Sequence, residues 1–476
     1  MPNFRNLMSG DSGDYVPVIS VANSALFNSA ASEYLSRTPS SAGNRDTWTF
    51  SAWVNTASRA NGQTLFSAGS NDSNGTTIWS YSTNGALQYR HRDGGTATDN
   101  IITTPLFRDI GWYHIVFAVD TTQPVETNRV RIYVNGVAIT DFSTSNYPAQ
   151  NADTDVNSTV AHHIGATTAV ATEVDGYIAE TVLIDGLQLP PTSFGEYDTT
   201  GLYWTPKSST DIKALTFGTN GFYLDNTTNA QTDASGEGNN FTNNNTVVTS
   251  THTPTNSETL FNPINTTFTN SASASLSNGN RTFSSAGGYR IGVATLNFPT
   301  TGKWWVAVEY AASPAIDGTE FVGITRGAGT SYATDSYLTY QQTDYSYSYY
   351  NTTIRKGSAS GTNVTTGLTA LAVGDFMLVA FDADNQTVKW YLENALIYTL
   401  DLSSAPDGYY GNDGGWSFAV ATYTSGPKPT LVNTANYGYT PPTGYEELNT
   451  TNIAAATDRT ASDTNKYFQT VLYEGN

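Results

Sequence analysis

The 476-residue chain contains no cysteine, three methionines and five histidines, and only 13% of its residues are charged. Without thiols, neither a disulfide framework nor a thiolate metal centre contributes to its fold. Charge at that level is about half the roughly 25% of an ordinary globular protein, so exposed faces must be solvated by hydroxyls and amides. Basic residues are scarcer still: 21 Lys and Arg stand against 41 Asp and Glu, a formal net charge of −20. No run of Lys or Arg exists to meet phosphates, which excludes nucleic acid as the partner, and the same repulsion excludes an anionic membrane surface. No apolar run is long enough to span a bilayer, and there are no heptads or collagen-like repeats to hold a fibre together.

What the chain does have is alternation. In GWYHIVFAVDTTQPVETNRVRIYVNGVAIT, from Gly111, Tyr113, Ile115, Phe117 and Val119 share one strand face and Val130, Ile132 and Val134 another, because alternate residues of a strand face the same side. VGDFMLVAFDADNQTVKWYLENALIYTL, from Val373, repeats the device with Met377, Val379 and Phe381, then Val388, Trp390 and Leu392. Each copy has an apolar strand ending on Asp (Asp120, Asp382), a polar turn, a second strand, a tight turn at Asn135-Gly136 or Glu393-Asn394, and a third strand. Period two with no helical competitor predicts an all-β chain of two tandem antiparallel β-sandwiches joined by an irregular connector.

The wording around these strands resembles known families. WTFSAWV (Trp48 to Val54), YHIVFAVD, RIYVNG, HIG (His163 to Gly165) and DGYIAETVLIDGLQL from Asp175 are similar to a laminin-G-like, concanavalin-A-like jelly roll. ATLNFPTTGKWWVAVEY from Ala294, FVGITRG from Phe321 and NYGYTPPTGYEELNT from Asn436 resemble a SPRY-type sandwich. Between them, LQLPPTSFGEYDTTGLYWTPK and GTNGFYLDNTTNAQTDASGEGNNFT resemble connecting wording of large phage virion proteins. The resemblance implies a non-enzymatic virion protein, a tail fibre or adsorption protein that binds host surface glycans. Its partners would be other virion proteins and a cell-surface glycan, and its assembly a homo-oligomer, a trimer as in fibres. A capsid head fibre or decoration protein is one alternative; a secreted glycan-binding or glycan-cleaving protein is another. The opening MPNFRNLMSGDSGDYVPVIS lacks the basic start and apolar core of a secretory signal, so the expectation is synthesis in the cytoplasm and location on a phage particle, the tail before the head.

The expected organisation is an N-terminal lead (1–20), a laminin-G-like sandwich (21–192), an Asn, Thr and Gly-rich connector (193–261) with some strand near Gly221 to Leu224, a SPRY-like sandwich (262–445) and a C-terminal tail (446–476) after which sequence continues in proteins of similar wording. TTIWSYS and ALQYRHR, joined through Asn84-Gly85, read as a hairpin with Trp79 and Tyr81 on one face and Leu87, Tyr89 and His91 on one face of its partner. Asp185-Gly186 reads as a second hairpin, from VLI into LQL. In YLTYQQTDYSYSYY, Tyr345, Tyr347 and Tyr349 share a face expected to be core, with Tyr340 and Tyr350 outward.

Chemistry is sparse. EVDGYIAE, Glu173 to Glu180, carries acidic residues near the spacing of laminarinase-type sandwiches, but Glu180 stands seven residues beyond Glu173, at opposite parity, whereas a retaining acid and nucleophile must lie about 5 Å apart; Asp175-Gly176 reads as a turn. His162-His163, adjacent in a strand, point to opposite faces and cannot grip one ion, so one buried and one exposed His is the expectation. Asp153, Asp155 and Asn157 offer oxygen ligands at alternate positions of a loop, as calcium prefers; the other reading is a solvated Asx-rich turn. A sugar needs a flat aromatic face with donors and acceptors beside it. Trp79, Tyr81, Tyr89, His91 and Arg92, with Asn71 and Asp72 from a neighbouring loop, are the candidates. The competing reading buries Trp79 and Tyr89 in the core.

Overall fold

The computed structural model describes residues 19–57, 62–81, 85–104, 111–198, 201–263, 274–285, 289–310, 320–326, 346–357, 362–403, 415–423 and 428–455. It divides into two compact units, one built on Pro17–Asn256 with Ser277–Gly279, the other on Ser257–Leu276 and Asn280–Asn476. Both are antiparallel β-sandwiches, as the alternation requires.

In the first unit, the back sheet runs Val137–Ala138, Val130–Val134, Tyr113–Asp120, Thr47–Thr56, Gly176–Asp185, Ser24–Phe27, Val248–Ser250, with Phe222–Leu224 also pairing the central Gly176–Asp185. The front sheet has eight strands in the order Phe142–Asn146, Thr96–Thr103, Ala86–Asp93, Asn74–Tyr81, Gln63–Asn71, Ala161–Ile164, Tyr34–Arg37, Thr242–Asn244. The predicted inward residues Tyr113, Ile115, Phe117, Val119, Val130, Ile132 and Val134 all lie in the core between the sheets, beside Phe50 of the same sheet and with Phe66, Ile78, Leu87 and Ile101 opposite. Burying one such side chain contributes about 1.5–3 kcal/mol. The turn at Asn135-Gly136 has φ of 47° and 78°, the left-handed pair that a two-residue hairpin needs and that Asn-Gly supplies cheaply.

Residues 193–256 do not stand apart as a connector. Phe222, Leu224, Ala230, Phe241 and Val247 enter the main core. Phe194, Ile212, Phe217 and Tyr223 form a second cluster against Val116, Val182 and Ile184 on the outer side of the back sheet. Asparagine holds the irregular parts: Asn239 Nδ2 donates to the carbonyls of Gly221 (2.7 Å) and Thr219 (3.0 Å), and Asn229 Oδ1 accepts from the N–H groups of Gln231 and Thr232. Side-chain amides thus satisfy backbone groups that a sheet ladder would otherwise pair.

Trp204, from the hairpin Gly195–Tyr197 with Trp204–Pro206, donates its indole N–H to His114 Nδ1 at 3.0 Å, and His114 Nε2 lies 2.9 Å from Ser51 Oγ. Burial lowers the His114 pKa to about 3. The imidazole is therefore neutral, accepting at Nδ1 and donating at Nε2. A methyl on Gly136 or Gly195 would come within 2.6 or 2.7 Å of the Trp204 ring, so these two glycines let the indole lie close to the backbone.

The reading of Asp185-Gly186 as a hairpin is corrected. After Gly186 the chain bonds to a side chain instead of a ladder: Thr49 Oγ1 donates to Leu187 O and accepts from Leu189 N–H, both at 2.8 Å.

In the second unit, one sheet includes Thr282–Ser285, Thr430–Val432, Lys303–Glu309, Phe376–Asp382, Thr387–Leu392 and Ala395–Asp401; the other is Tyr289–Asn297, Trp416–Tyr423, Phe321–Arg326, Ser346–Tyr350, Thr353–Lys356, Thr362–Thr365. Met377, Val379, Phe381, Val388, Trp390 and Leu392 fill its core, with Tyr347 and Tyr349. Tyr350 lies on the other face, stacked on Phe321 at 4.3 Å; Tyr340 and Tyr345 fall outside the described residues. The start of the tail belongs to this unit, because Glu446–Glu447 pairs in parallel with Lys303–Glu309 and Leu448 is buried in its core.

Candidate functional site

A half-buried sheet has two chemistries, one for each parity. On the front sheet of the first unit, Leu35, Phe66, Ile78, Leu87, Tyr89, Ile101 and Ile164 face the core, so the intervening residues face outward. Following the register across those outward positions gives Asn146, Asn100, Arg90, Thr77, Ser67, His163, Ser36 and Thr242, each opposite the next. Every member of this row carries a hydrogen-bonding side chain. With neighbouring strands about 4.8 Å apart, seven intervals span about 34 Å.

The middle of the row is tucked in and its ends are open. Arg90, Thr77, Ser67 and His163 are buried, Asn100 and Ser36 half-buried, and Asn146 and Thr242 exposed. Ser67 Oγ donates to Ala166 O at 2.9 Å, and His163 Nδ1 lies 2.9 Å from Thr167 O, so the loop after Ile164 leans over the centre. Burial pushes the His163 pKa down, which leaves the ring neutral. Half-buried Tyr34 packs on it, with centroids 4.8 Å apart, and sets an aromatic surface beside the polar row. In the adjacent row Gln88 is 5% exposed; its amide N–H donates to Asn100 Oδ1 at 2.6 Å while its buried Oε1 meets no donor. Buried polar atoms are ordinarily satisfied, and this carbonyl is an exception.

The predicted sugar-binding residues separate between the two faces. Arg92 is on the outer face, two positions along the strand from Arg90, with Nη1 donating to Asp72 O at 3.3 Å. Tyr89 is corrected: it is fully buried in the core against Trp48, and burial holds its hydroxyl well above the usual tyrosine range. His91 is corrected with it, since it shares the inward parity and sits 3.0 Å from Thr76 Oγ1 and 3.6 Å from Asp155 Oδ2. Asn71 and Asp72 brace loops. Asn71 Oδ1 accepts from Ser73 N–H, and Asp72 accepts from Thr167 Oγ1 and Ala169 N–H. The side chains of Trp79 and Tyr81 lie outside the described residues; the backbone register sets Trp79 opposite Gln88. Sequence reasoning passed over Gln88, Arg90, Asn100 and Tyr34, although parity relative to Leu87 and Tyr89 gives the first two.

Asp153, Asp155 and Asn157 do not converge as a calcium site. Asp153 pairs with Arg45 at 2.9 Å, Asp155 turns towards His91, and Asn157 is buried, donating its amide to Asn44 O and Asp185 Oδ1. Among the described residues no group of three His, Asp or Glu is placed to hold a metal. His162 and His163 do face opposite sides, but both are buried. His162 Nε2 accepts the Asn157 N–H at 3.0 Å, and burial lowers its pKa to about 4.

The acidic stretch is dispersed too. Asp175 is buried at the start of its strand, Glu173 lies in the preceding loop, and Glu180 occupies a β-bulge between Ala179 and Val182 with φ of 51°. The bulge turns Glu180 to the outer side of the back sheet, where its carboxylate accepts from Tyr223 OH and burial raises its pKa to about 8.

Residues 29–187 match the profile of the concanavalin A-like lectin/glucanases superfamily, laminin-G type. A search of curated proteins found no match. Among solved structures, a candidate carbohydrate-binding protein from Bacteroides ovatus is 15% identical, with a TM-score of 0.32 over 49% of this chain and 60% of its own; the chain thus spans less than two thirds of that protein. A heptameric pentraxin from Limulus polyphemus is 12% identical (TM-score 0.32, 49% and 96% covered), and the SPRY domain of human HERC1 15% identical (TM-score 0.26, 34% and 92% covered).

Proposed function

We propose that this chain is a non-enzymatic glycan-binding protein whose first sandwich holds an extended carbohydrate against the outer face of its front sheet. The observation that carries the reading is the unbroken row of eight hydrogen-bonding residues across that sheet, with Tyr34 and the orphan Gln88 Oε1 both on one side of it. Ring hydroxyls need many donors and acceptors at close intervals, and a sugar's CH face needs an aromatic edge. The superfamily match over residues 29–187 supports the same class. The scattered placement of Glu173, Asp175 and Glu180 supports binding without cleavage, because hydrolysis needs two carboxylates on either side of one bond.

The finer reading places the protein on a phage particle, as a tail fibre or adsorption protein. It rests on the order of the sandwich and connector wording alone. Electrophoresis of the whole chain through gels containing neutral or acidic polysaccharides tests the binding. Retardation without release of reducing ends is the expected result; no retardation by any polysaccharide, or turnover abolished by Glu173→Gln, would reject it. Immunogold labelling of intact particles tests the location: label on the tail supports adsorption, label over the capsid converts the assignment to a head decoration protein, and no label removes the virion reading.

A further inference from the structure

The cover on the outer side of the back sheet gathers an amine, a polarised carboxyl and a proton carrier in one small cluster. The helical turn Ser209–Lys213 ends on Lys213, whose Nζ lies 3.1 Å from Oδ2 of Asp225, the residue after the strand Phe222–Leu224. The Asp225 side chain is 7% exposed and that of Lys213 43%. The two oxygens of the Asp225 carboxyl are not equivalent. Oδ1 accepts the Thr227 N–H at 3.1 Å and the Thr227 hydroxyl at 2.9 Å, while Oδ2 faces the amine. Two donors on one oxygen stabilise the oxyanion that forms when a nucleophile adds to the carbon, which makes the other oxygen the one to leave. In the pairing of Phe222–Leu224 with Gly176–Asp185, Leu224 is opposite Thr181, so Asp225 follows on beside Glu180. The Glu180 carboxyl accepts from Tyr223 OH, and burial outweighs that bond and lifts its pKa to about 8. It is therefore protonated at pH 7, and the charges of both Asp225 and Lys213 act on it. The Tyr223 ring, 5.9 Å from Lys213 Nζ, gives the amine an aromatic wall.

We propose that Lys213 and Asp225 condense to an isopeptide bond, a covalent staple in a chain without cysteine. The ammonium first passes one proton to Asp225 Oδ2 across the 3.1 Å contact. The neutral amine then attacks Cγ, and the N–C bond forms while negative charge gathers on Oδ1 between its two Thr227 donors. Glu180 gives its proton to Oδ2, the C–Oδ2 bond breaks and water departs; Glu180 recovers a proton from Nζ. The balance is ammonium plus carboxylate to amide plus water, with Glu180 unchanged and no outside reagent. Groups held in such reach react with effective molarities on the order of 10⁵ M or more, and the exposed side of Lys213 gives the water an exit. The bond ties Ser209–Lys213 to a strand that pairs the middle of the back sheet, closing a loop whose ends are 12 residues apart. Mass spectrometry of the intact, denatured chain tests it. The expected mass is one water below that of the sequence, and Lys213→Arg, which keeps the ion pair, should restore the full mass. Trypsin should leave Lys213 uncut, so that it stays with Asp225 in one peptide that is itself one water lighter. Glu180→Gln should slow bond formation about a hundredfold in freshly made protein. A parent chain at full sequence mass would overturn the bond. Loss of water persisting in Lys213→Arg would place the dehydration elsewhere and overturn the assignment. Bond formation at the parent rate in Glu180→Gln would overturn the part given to Glu180.

Discussion

On the back sheet of the first sandwich, Val116, Val182 and Ile184 point away from the core and are covered by Phe194, Ile212 and Phe217 from the chain that follows. On the front sheet the outward positions are Gln88, Arg90, Thr77, Ser67 and His163. The two faces have the same backbone geometry and opposite composition. Apolar residues stand where the cover is apolar, and hydrogen-bonding residues stand where the cover is a loop that offers carbonyl acceptors, Ala166 O to Ser67 and Thr167 O to His163. Composition of the outward parity, more than the presence of aromatics, therefore tells what kind of cover a sheet face carries.

The contrast can be broken most severely on the covered side. Trp204→Ala removes the indole that caps His114 and fills the space above Gly136 and Gly195, and should cost about 4 kcal/mol, lowering the thermal transition of the first unit by roughly 10 °C. Thermal unfolding followed by tryptophan fluorescence checks it; an unchanged midpoint would show that this cover is dispensable.

Glu180→Gln comes next in size and acts through pH. Glu180 titrates near pH 8 in the folded protein and near 4.5 when unfolded, so between those values the native state binds more protons. Stability from this group is complete below pH 4.5 and lost as pH rises through 8. The glutamine variant should be more stable than the parent at pH 9 by about 2 kcal/mol, allowing for partial exposure, and equal to it at pH 4. Glu33, raised to about 7 by burial, contributes a slope of the same sign that the variant retains. Urea titrations at the two pH values decide the matter.

Tyr89→Phe sharpens the comparison between parities. The Tyr89 hydroxyl is buried without a partner, so its removal should stabilise the unit by about 1 kcal/mol and leave polysaccharide retardation unchanged. Reduced retardation would return Tyr89 to the ligand.

The sandwiches were legible because each core strand alternates strictly: Tyr113 to Val119 and Met377 to Phe381 bury the residues that period two selects. The segment 193–256 was not, because its few apolar residues are dispersed among Asn, Thr and Gly. Its order comes from side-chain amides such as those of Asn229 and Asn239, and these leave no periodicity. The site was half legible. Arg92 lies on the outer parity, but attention to aromatics favoured Tyr89 and His91 on the inward one, and Gln88 and Arg90, on the face of Arg92, carried no aromatic signal.

The segment that follows the back-sheet cover closes both sheets at once, Thr242–Asn244 adding to Tyr34–Arg37 and Val248–Ser250 to Ser24–Phe27. Ser24 and Ser250, hydrogen-bonded partners, are 226 residues apart in sequence. On the ribosome, the first strand must wait until nearly the whole unit has emerged before its outer edge is paired. Contacts so distant in sequence carry a large loop-closure entropy and slow folding, and until they form, two bare strand edges are open to other chains. The last nine residues from Thr242 to Ser250 thus time the end of folding for the entire first sandwich.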